Sequence, residues 1–338
     1  MGAVGSAFTR YRWNSPKMIR CALSFAAGIA LGQAQLAAEI RLAKDCTVHF
    51  VTSEQGKLRL AKRDVYIKGM SPFERAAKIQ KAGPISTDQY IEFIQKEVID
   101  WSDADQAKLL KIIQEAKPKL APYAKHFPRE IYLIKTTGKD EGGAPYTRGT
   151  SIILPQRRVA QSAAGLERLF HHELFHILSR NNPSLRDELY SIIGYEKCGV
   201  VTLPEPMMPR RISNPDAPVV EHCIRVSKES QPYWCAPVLF SRTPQYDPNV
   251  GGTFFRYLEF RLMAIDRESA KAILKDGQPI LLKPDAVDGF YEQIGRNTDY
   301  IIHPEETLAN NFVHLMSGKK GLKNPEIPAQ IEELLLAE

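Results

Sequence analysis

Ser162-Ala163-Ala164-Gly165-Leu166-Glu167-Arg168-Leu169-Phe170-His171-His172-Glu173-Leu174-Phe175-His176-Ile177-Leu178-Ser179 is long enough for about five helical turns and contains no proline. Leu166, Leu169, Phe170, Leu174, Phe175, Ile177 and Leu178 make such a helix apolar nearly all round, the mark of a buried one. Polar side chains on a buried helix are costly unless each finds a partner. His172 and His176 are four residues apart, just over one turn, so both imidazoles project from one face. Two neutral imidazoles on adjacent turns can hold one zinc ion at about 2.0–2.1 Å each. Glu173, beside the first of them, reaches a water on the same metal. The pattern His172-Glu173-x-x-His176 thus supplies two ligands and a base. The plainer alternative is a core helix whose histidines bond to backbone or water. His171 falls off the metal face.

Upstream of this helix the period changes near Pro128. Ile131–Ile134 reads as a strand, Gly142-Gly143 as a turn and Thr150–Leu154 as a second strand. Before that, residues 71–126 read as helical, with Ser71, Thr87 and Ser102 as starts. Downstream, a short helix covers Leu185–Ile193. Segments around Val219–Ile224, Tyr233–Phe240 and Thr253–Ile265 read as an antiparallel meander. Helices follow over Pro304–Gly318 and around Ile331–Leu335. Asn182-Pro183 and Asn214-Pro215 read as turns. Helices and strands come in blocks, which predicts an α+β fold and not a doubly wound parallel sheet.

The N-terminus reads as a secretory signal peptide over residues 1–38. Arg10, Arg12, Lys17 and Arg20 form a basic stretch without an acid, Cys21–Leu31 a short apolar core, and small residues lead to Ala38. Met18 is an alternative start. The apolar run is short for a membrane span, so the expected location is secreted or periplasmic, with no stable span after cleavage. The mature chain keeps Cys46, Cys198, Cys223 and Cys235, an even number that favours disulfides in an oxidising compartment. A hairpin centred near Glu229 would place Cys223 opposite Cys235, leaving Cys46 and Cys198 to pair. The charge of +6 is spread along the chain and no nucleic-acid motif accompanies it.

The chain resembles the HExxH zinc metallopeptidases, the zincins, from about Pro128 to Gly318. The resemblance rests on the strand Thr150–Leu154, the motif helix and the downstream Glu306-x-x-Ala309-Asn310. Ser179 and Asn182 stand where the metzincin branch needs Gly and His, so the better match is the gluzincin branch. The resemblance implies that a downstream glutamate completes the metal site, that Thr150–Leu154 is an edge strand able to pair with an extended peptide, and that position 310 orients a ligand histidine. Asn310 stands there in place of the usual Asp. It also implies an oxyanion-stabilising side chain, for which Tyr195, Tyr246 and Tyr257 are candidates. Glu306 is the expected third ligand. Glu305 is one residue away, and Glu196 lies 20 residues beyond His176, the thermolysin-like spacing. Acids in a first helical turn also suit the helix dipole without any metal.

The expected organisation is a mainly helical lead-in over 39–127 and a zincin-like catalytic domain over 128–338, interrupted by an antiparallel β insertion at about 196–300. The expected function is zinc-dependent hydrolysis of a peptide or protein substrate. Zinc-activated water attacks, Glu173 acts as general base, and His172, His176 and Glu306 hold Zn²⁺. Two rivals are a non-catalytic zincin-like binding protein of the cell envelope, which would have no need of Glu173, and a zinc hydrolase of a non-peptide substrate.

Overall fold

The computed structural model describes residues 38–337. The expected signal segment, save Ala38, lies outside the described residues. The first half of the chain runs β1 (Glu39–Ala43), β2 (Cys46–Phe50), α1 (Ser53–Leu60), α2 (Val65–Gly69), α3 (Pro72–Ile79), α4 (Thr87–Lys96), β3 (Val98–Ile99), α5 (Asp103–Leu120), β4 (Glu130–Thr136), β5 (Tyr146–Arg148), β6 (Ser151–Pro155), α6 (Gln156–Val159), α7 (Ala163–Asn181) and α8 (Pro183–Ser191). The second half runs β7 (Tyr195–Lys197), β8 (His222–Lys228), β9 (Gln231–Ser241), β10 (Leu258–Ile265), β11 (Leu274–Lys275), β12 (Gln278–Pro279), β13 (Leu281–Leu282), α9 (Phe290–Ile294), α10 (Pro304–Met316) and α11 (Glu326–Leu336). The fold is α+β.

Two sheets carry it. The first has the order β1-β2-β4-β6-β5, with β3 added beside β4; β2, β4 and β6 run parallel and β5 antiparallel at the edge. Residues 39–127 carry helices α1 to α5 but open with two strands that join this sheet. Side chains alternate across its faces. Leu133, Ile152 and Leu154 enter a core shared with α5, α7 and α10, while Ile134 and Ile153 enter a second core under α1 to α4. A strand buried on both faces reads as a continuous apolar run, which is what Ile152-Ile153-Leu154 is. The second sheet is antiparallel, ordered β13-β10-β9-β8-β7, and spans the region expected as an insertion.

Three local readings are corrected. Thr150–Leu154 is not the edge strand: β6 lies between β4 and β5, and the edge is β5. Ser86, not Thr87, caps α4, because Gln89 completes a capping box. The Gln89 N–H donates to Ser86 Oγ at 3.1 Å and the Ser86 N–H to Gln89 Oε1 at 2.9 Å. Cys223 and Cys235 do not pair, and the four cysteines among the described residues are free thiols. The hairpin turns on two residues, Glu229 and Ser230, with φ of 52° and 67°, between paired Lys228 and Gln231. That register sets Cys235 opposite Ile224, one residue off the expected pairing. A shift of one residue reverses the face. Cys235 therefore enters the main core, while Cys223 enters the smaller cluster with Cys198.

Cys198 and Cys223 share one small core cluster, and the neighbouring Cys223 thiol holds Cys198 below its ordinary value; Cys46 and Cys235 are buried apart, their thiols pushed up to about 12 by burial. Mild oxidation should therefore link Cys198 to Cys223 and leave Cys46 and Cys235 as thiols. Non-reducing peptide mapping checks this, and a Cys223–Cys235 peptide would contradict the register.

Candidate metal centre

Helix α7 is capped at Ser162, whose Oγ accepts from the Gly165 N–H at 3.2 Å. Leu166, Phe170, Leu174, Phe175 and Leu178 are fully buried and fix its rotation. That rotation points His172, Glu173 and His176 at α10. Helix α10 starts at His303, whose Nδ1 accepts from the Glu305 N–H at 3.2 Å. Ala309, fully buried, has no bulk to hold the two helices apart.

The crossing brings the expected residues together. His172 Nε2 lies 3.1 Å and His176 Nε2 3.6 Å from Glu306 Oε2. The ligand atoms of all three lie within 4.8 Å of one another. Tetrahedral zinc with bonds of about 2.0–2.1 Å needs ligand atoms roughly 3.3 Å apart. The observed separations straddle that value. Two buried atoms here have no hydrogen-bond partner, His176 Nε2 and Glu173 Oε2. A metal would satisfy the first, and water beside the metal the second. By this measure the residues fit a zinc ion.

The neighbouring glutamate has a different role. His176 Nδ1–H donates to Glu305 Oε1 at 2.9 Å, and Glu305 Oε2 accepts from Ser179 Oγ at 2.8 Å and Tyr190 OH at 2.6 Å. This fixes the tautomer that leaves Nε2 free to ligate. Glu305 therefore does what the resemblance assigned to position 310. Asn310 turns its Nδ2 back to the Glu306 carbonyl at 3.1 Å, along its own helix. Glu196 is at the surface on β7, paired with Arg267. His171 is buried away from the site, and burial pushes it down to about 4.

Sequence reasoning passed over three residues that the fold brings in. Asn214 Nδ2 donates to Glu306 Oε1 at 2.7 Å, so this Asn-Pro is more than a turn. Asp216, two residues on, has a carboxylate oxygen within 4.8 Å of ligand atoms of Glu173 and His176. Tyr300 stacks near His172, with ring centroids 6.4 Å apart and 27° between planes, and its hydroxyl makes no hydrogen bond among the described residues. The earlier tyrosine candidates are engaged elsewhere. Tyr195 is buried, Tyr246 OH donates to the Gly252 carbonyl, and Tyr257 OH to those of Asp247 and Gly251. Only a polar Asn-Pro-Asp between apolar segments hinted at this loop, and no spacing tied it to the helix.

Charge in the site is unbalanced. Burial opposes ionisation of Glu306, but His176 and the bonds from His172 and Asn214 outweigh it and hold the carboxyl down to about 2. Burial pushes His176 down, yet Asp216, Glu306 and Glu305 carry it up to about 10. Burial, then the charge of Asp216, push Glu173 well above the carboxylate range. Asp216, Glu306 and Glu305 together hold a proton on His176 where a divalent ion would also offset their charge. His172, Glu173, Asp216, Tyr300 and Glu306 line a cleft of about 930 Å³, shared with Arg158, Arg168, Phe255 and Lys319, while His176 and Glu305 lie buried behind it.

Zinc titration should separate the three glutamates. Glu306→Ala should abolish high-affinity binding, Glu305→Gln should weaken it roughly 10–100-fold, and Glu196→Ala should leave it unchanged. Wild-type affinity in Glu306→Ala would remove it from the ligand set. Metal-free protein should also show a pH signature. A folded value of about 10 for His176, above the ordinary 6.5, contributes stability in full below pH 6.5 and loses it as pH rises through 10. Its melting temperature should fall across that window. Zinc-loaded protein, with a neutral ligand imidazole throughout, should lack this fall, and a flat metal-free profile would contradict the charge balance described. No family model, curated protein or solved structure matches the chain, so its own residues carry the functional reading.

Proposed function

We propose that the chain is a zinc-dependent hydrolase that cleaves peptide bonds. The observation that carries this is the convergence of His172, His176 and Glu306 around a point faced by Glu173, in an open cleft. The peptide part rests on the resemblance to the zincins. His172 and His176 would hold zinc through Nε2 and Glu306 through Oε2, three protein ligands being the usual number where a position stays open for chemistry. Bound there, zinc supplies Lewis acidity and lowers the pKa of water in the open position to about 7.

The chain's residues then divide the remaining work. Glu173 Oε2, free of protein partners, takes a proton from the attacking water and delivers it to the leaving nitrogen. The positive charge of the ion favours the ionised form that burial and Asp216 oppose. Glu305, Ser179 and Tyr190 keep the His176 ring from turning. The Tyr300 hydroxyl, on the same cleft, would donate to the carbonyl oxygen as charge builds on it.

Glu173→Gln should keep one zinc per chain and lose turnover on a peptide library. Tyr300→Phe should lower kcat roughly a hundredfold or more with little change in KM. Elemental analysis beside steady-state kinetics reads both. Full activity in Glu173→Gln would sink the mechanism.

A further inference from the structure

The peptidase reading expects a substrate strand to add to the sheet edge, and at the centre of that edge the Asp216 side chain already stands in its place. The Thr147 N–H, the outward donor of β5, donates to Asp216 Oδ1 at 2.7 Å, and Thr147 Oγ1 donates to the same oxygen at 2.6 Å. The loop bearing Asp216 is tied down. Arg180 donates to the Pro215 and Asp216 carbonyls at 3.4 and 2.8 Å, and the Asp216 N–H donates to Asn214 Oδ1 at 3.0 Å. Asn214 is itself bound to Glu306. A segment held at this many points is a wall.

A carboxylate stands on that wall. Asp216 Oδ2 makes no hydrogen bond, and Asp216 has no ion-pair partner among the described residues. It lies in the cleft near Glu173 and His176. The opposite end has the reverse charge. Away from His176 the cleft follows α7 back through His172 and Arg168 to Gly165, and α10 forward through Asn310 and Val313 to Ser317, so the helices form the two sides of a groove. Arg168 is one turn before His172 on the same face. Arg158 and Lys319 also line this groove. None of these three cations has an ion-pair or hydrogen-bond partner for its side chain among the described residues, and Arg158 Nε is buried without one.

We infer that the cleft, taken as a peptidase site, accepts short peptides by their free ends, with the substrate's amino terminus on Asp216 and its carboxylate toward Arg168 and Arg158. An ammonium against a fixed carboxylate makes charge-assisted hydrogen bonds that an amide cannot. Spacing sets the length. From Arg168 to His176, where Asp216 stands, is eight residues, or about 12 Å along the helix. An extended chain covers that in roughly three to four residues. The occupied edge, the carboxylate at the wall and the cations beyond the metal residues thus describe a charge pattern that matches a tripeptide or tetrapeptide end to end. Cleavage then falls close to the amino terminus.

The test measures binding, so that it does not depend on turnover. Zinc-loaded Glu173→Gln protein is titrated calorimetrically with tetra-alanine, its N-acetyl form and its C-terminal amide. Acetylation should weaken binding roughly tenfold or more, and amidation by a smaller factor. Adding Asp216→Asn, which keeps an acceptor for Thr147 and hence the loop, should erase the penalty of acetylation while zinc content and melting temperature hold. Arg168→Gln should erase the penalty of amidation. Equal binding of free and acetylated peptide, unchanged discrimination in Asp216→Asn, or loss of zinc from it would each overturn the inference. If wild-type enzyme cleaves acetylated and free peptides alike, the peptidase reading stands and this one falls. If no form binds, both fall.

Discussion

His176, Glu173, Glu305 and Glu306 are buried where α7 crosses α10, with His172 half-buried beside them, and this burial is the constraint that the rest of the site answers to. Each ion taken from water costs several kcal/mol unless it is paired and hydrogen-bonded. Around His176 the acids outnumber the bases, and Arg180 gives its hydrogen bonds to backbone carbonyls. One shared cation lowers the energy of every member at once. The proposed metal would account for the unpartnered His176 Nε2 and the carboxylate excess together.

The two glutamates opening α10 show how finely a helix divides labour. Successive residues point about 100° apart around the axis. Glu305 meets the Nδ1 edge of His176 and Glu306 its Nε2 edge. One orients the ring and the other stands beside its unpartnered nitrogen. Tyr190 and Ser179 hold Glu305 from α8 and α7, so the outer support of the site comes from the same stretch of chain that carries the motif. The second sheet and its loops occupy the intervening 196–300 and supply Asn214, Asp216 and the approach to Tyr300. This region does more than carry the chain from α8 to α10.

The edge of the first sheet is where the site departs from the arrangement the resemblance implied. An open edge would offer backbone groups to a strand. Here the middle residue of β5 has its outward N–H taken by Asp216, and the cleft is left with groups that recognise charge. The same contact that takes the outward N–H of Thr147 engages Asp216 Oδ1 and leaves Oδ2 without a partner.

What could be read from residues alone was whatever lies within one element. His172, Glu173 and His176 share a face because the helical period is local. The apolar helix around them, the strand Ile131–Ile134 and the cap at Ser102 follow from the same short-range rules. The pattern Glu306-x-x-Ala309-Asn310 already pointed to Glu306, but its approach to both histidines and the bond of Glu305 to His176 Nδ1 needed the rotation of α10, which its packing against α7 sets. Asp216 and Tyr300 arrive from loops whose sequence has no period, so no spacing links them to the helix. The cysteine pairing failed by a single residue of register, because a two-residue turn and a three-residue turn look alike in sequence yet send Cys235 to opposite faces. Short-range periodicity determines which side chains stand together on one element. Only the return of the chain across some 130 residues decides which elements meet, since that depends on the packing of the whole core.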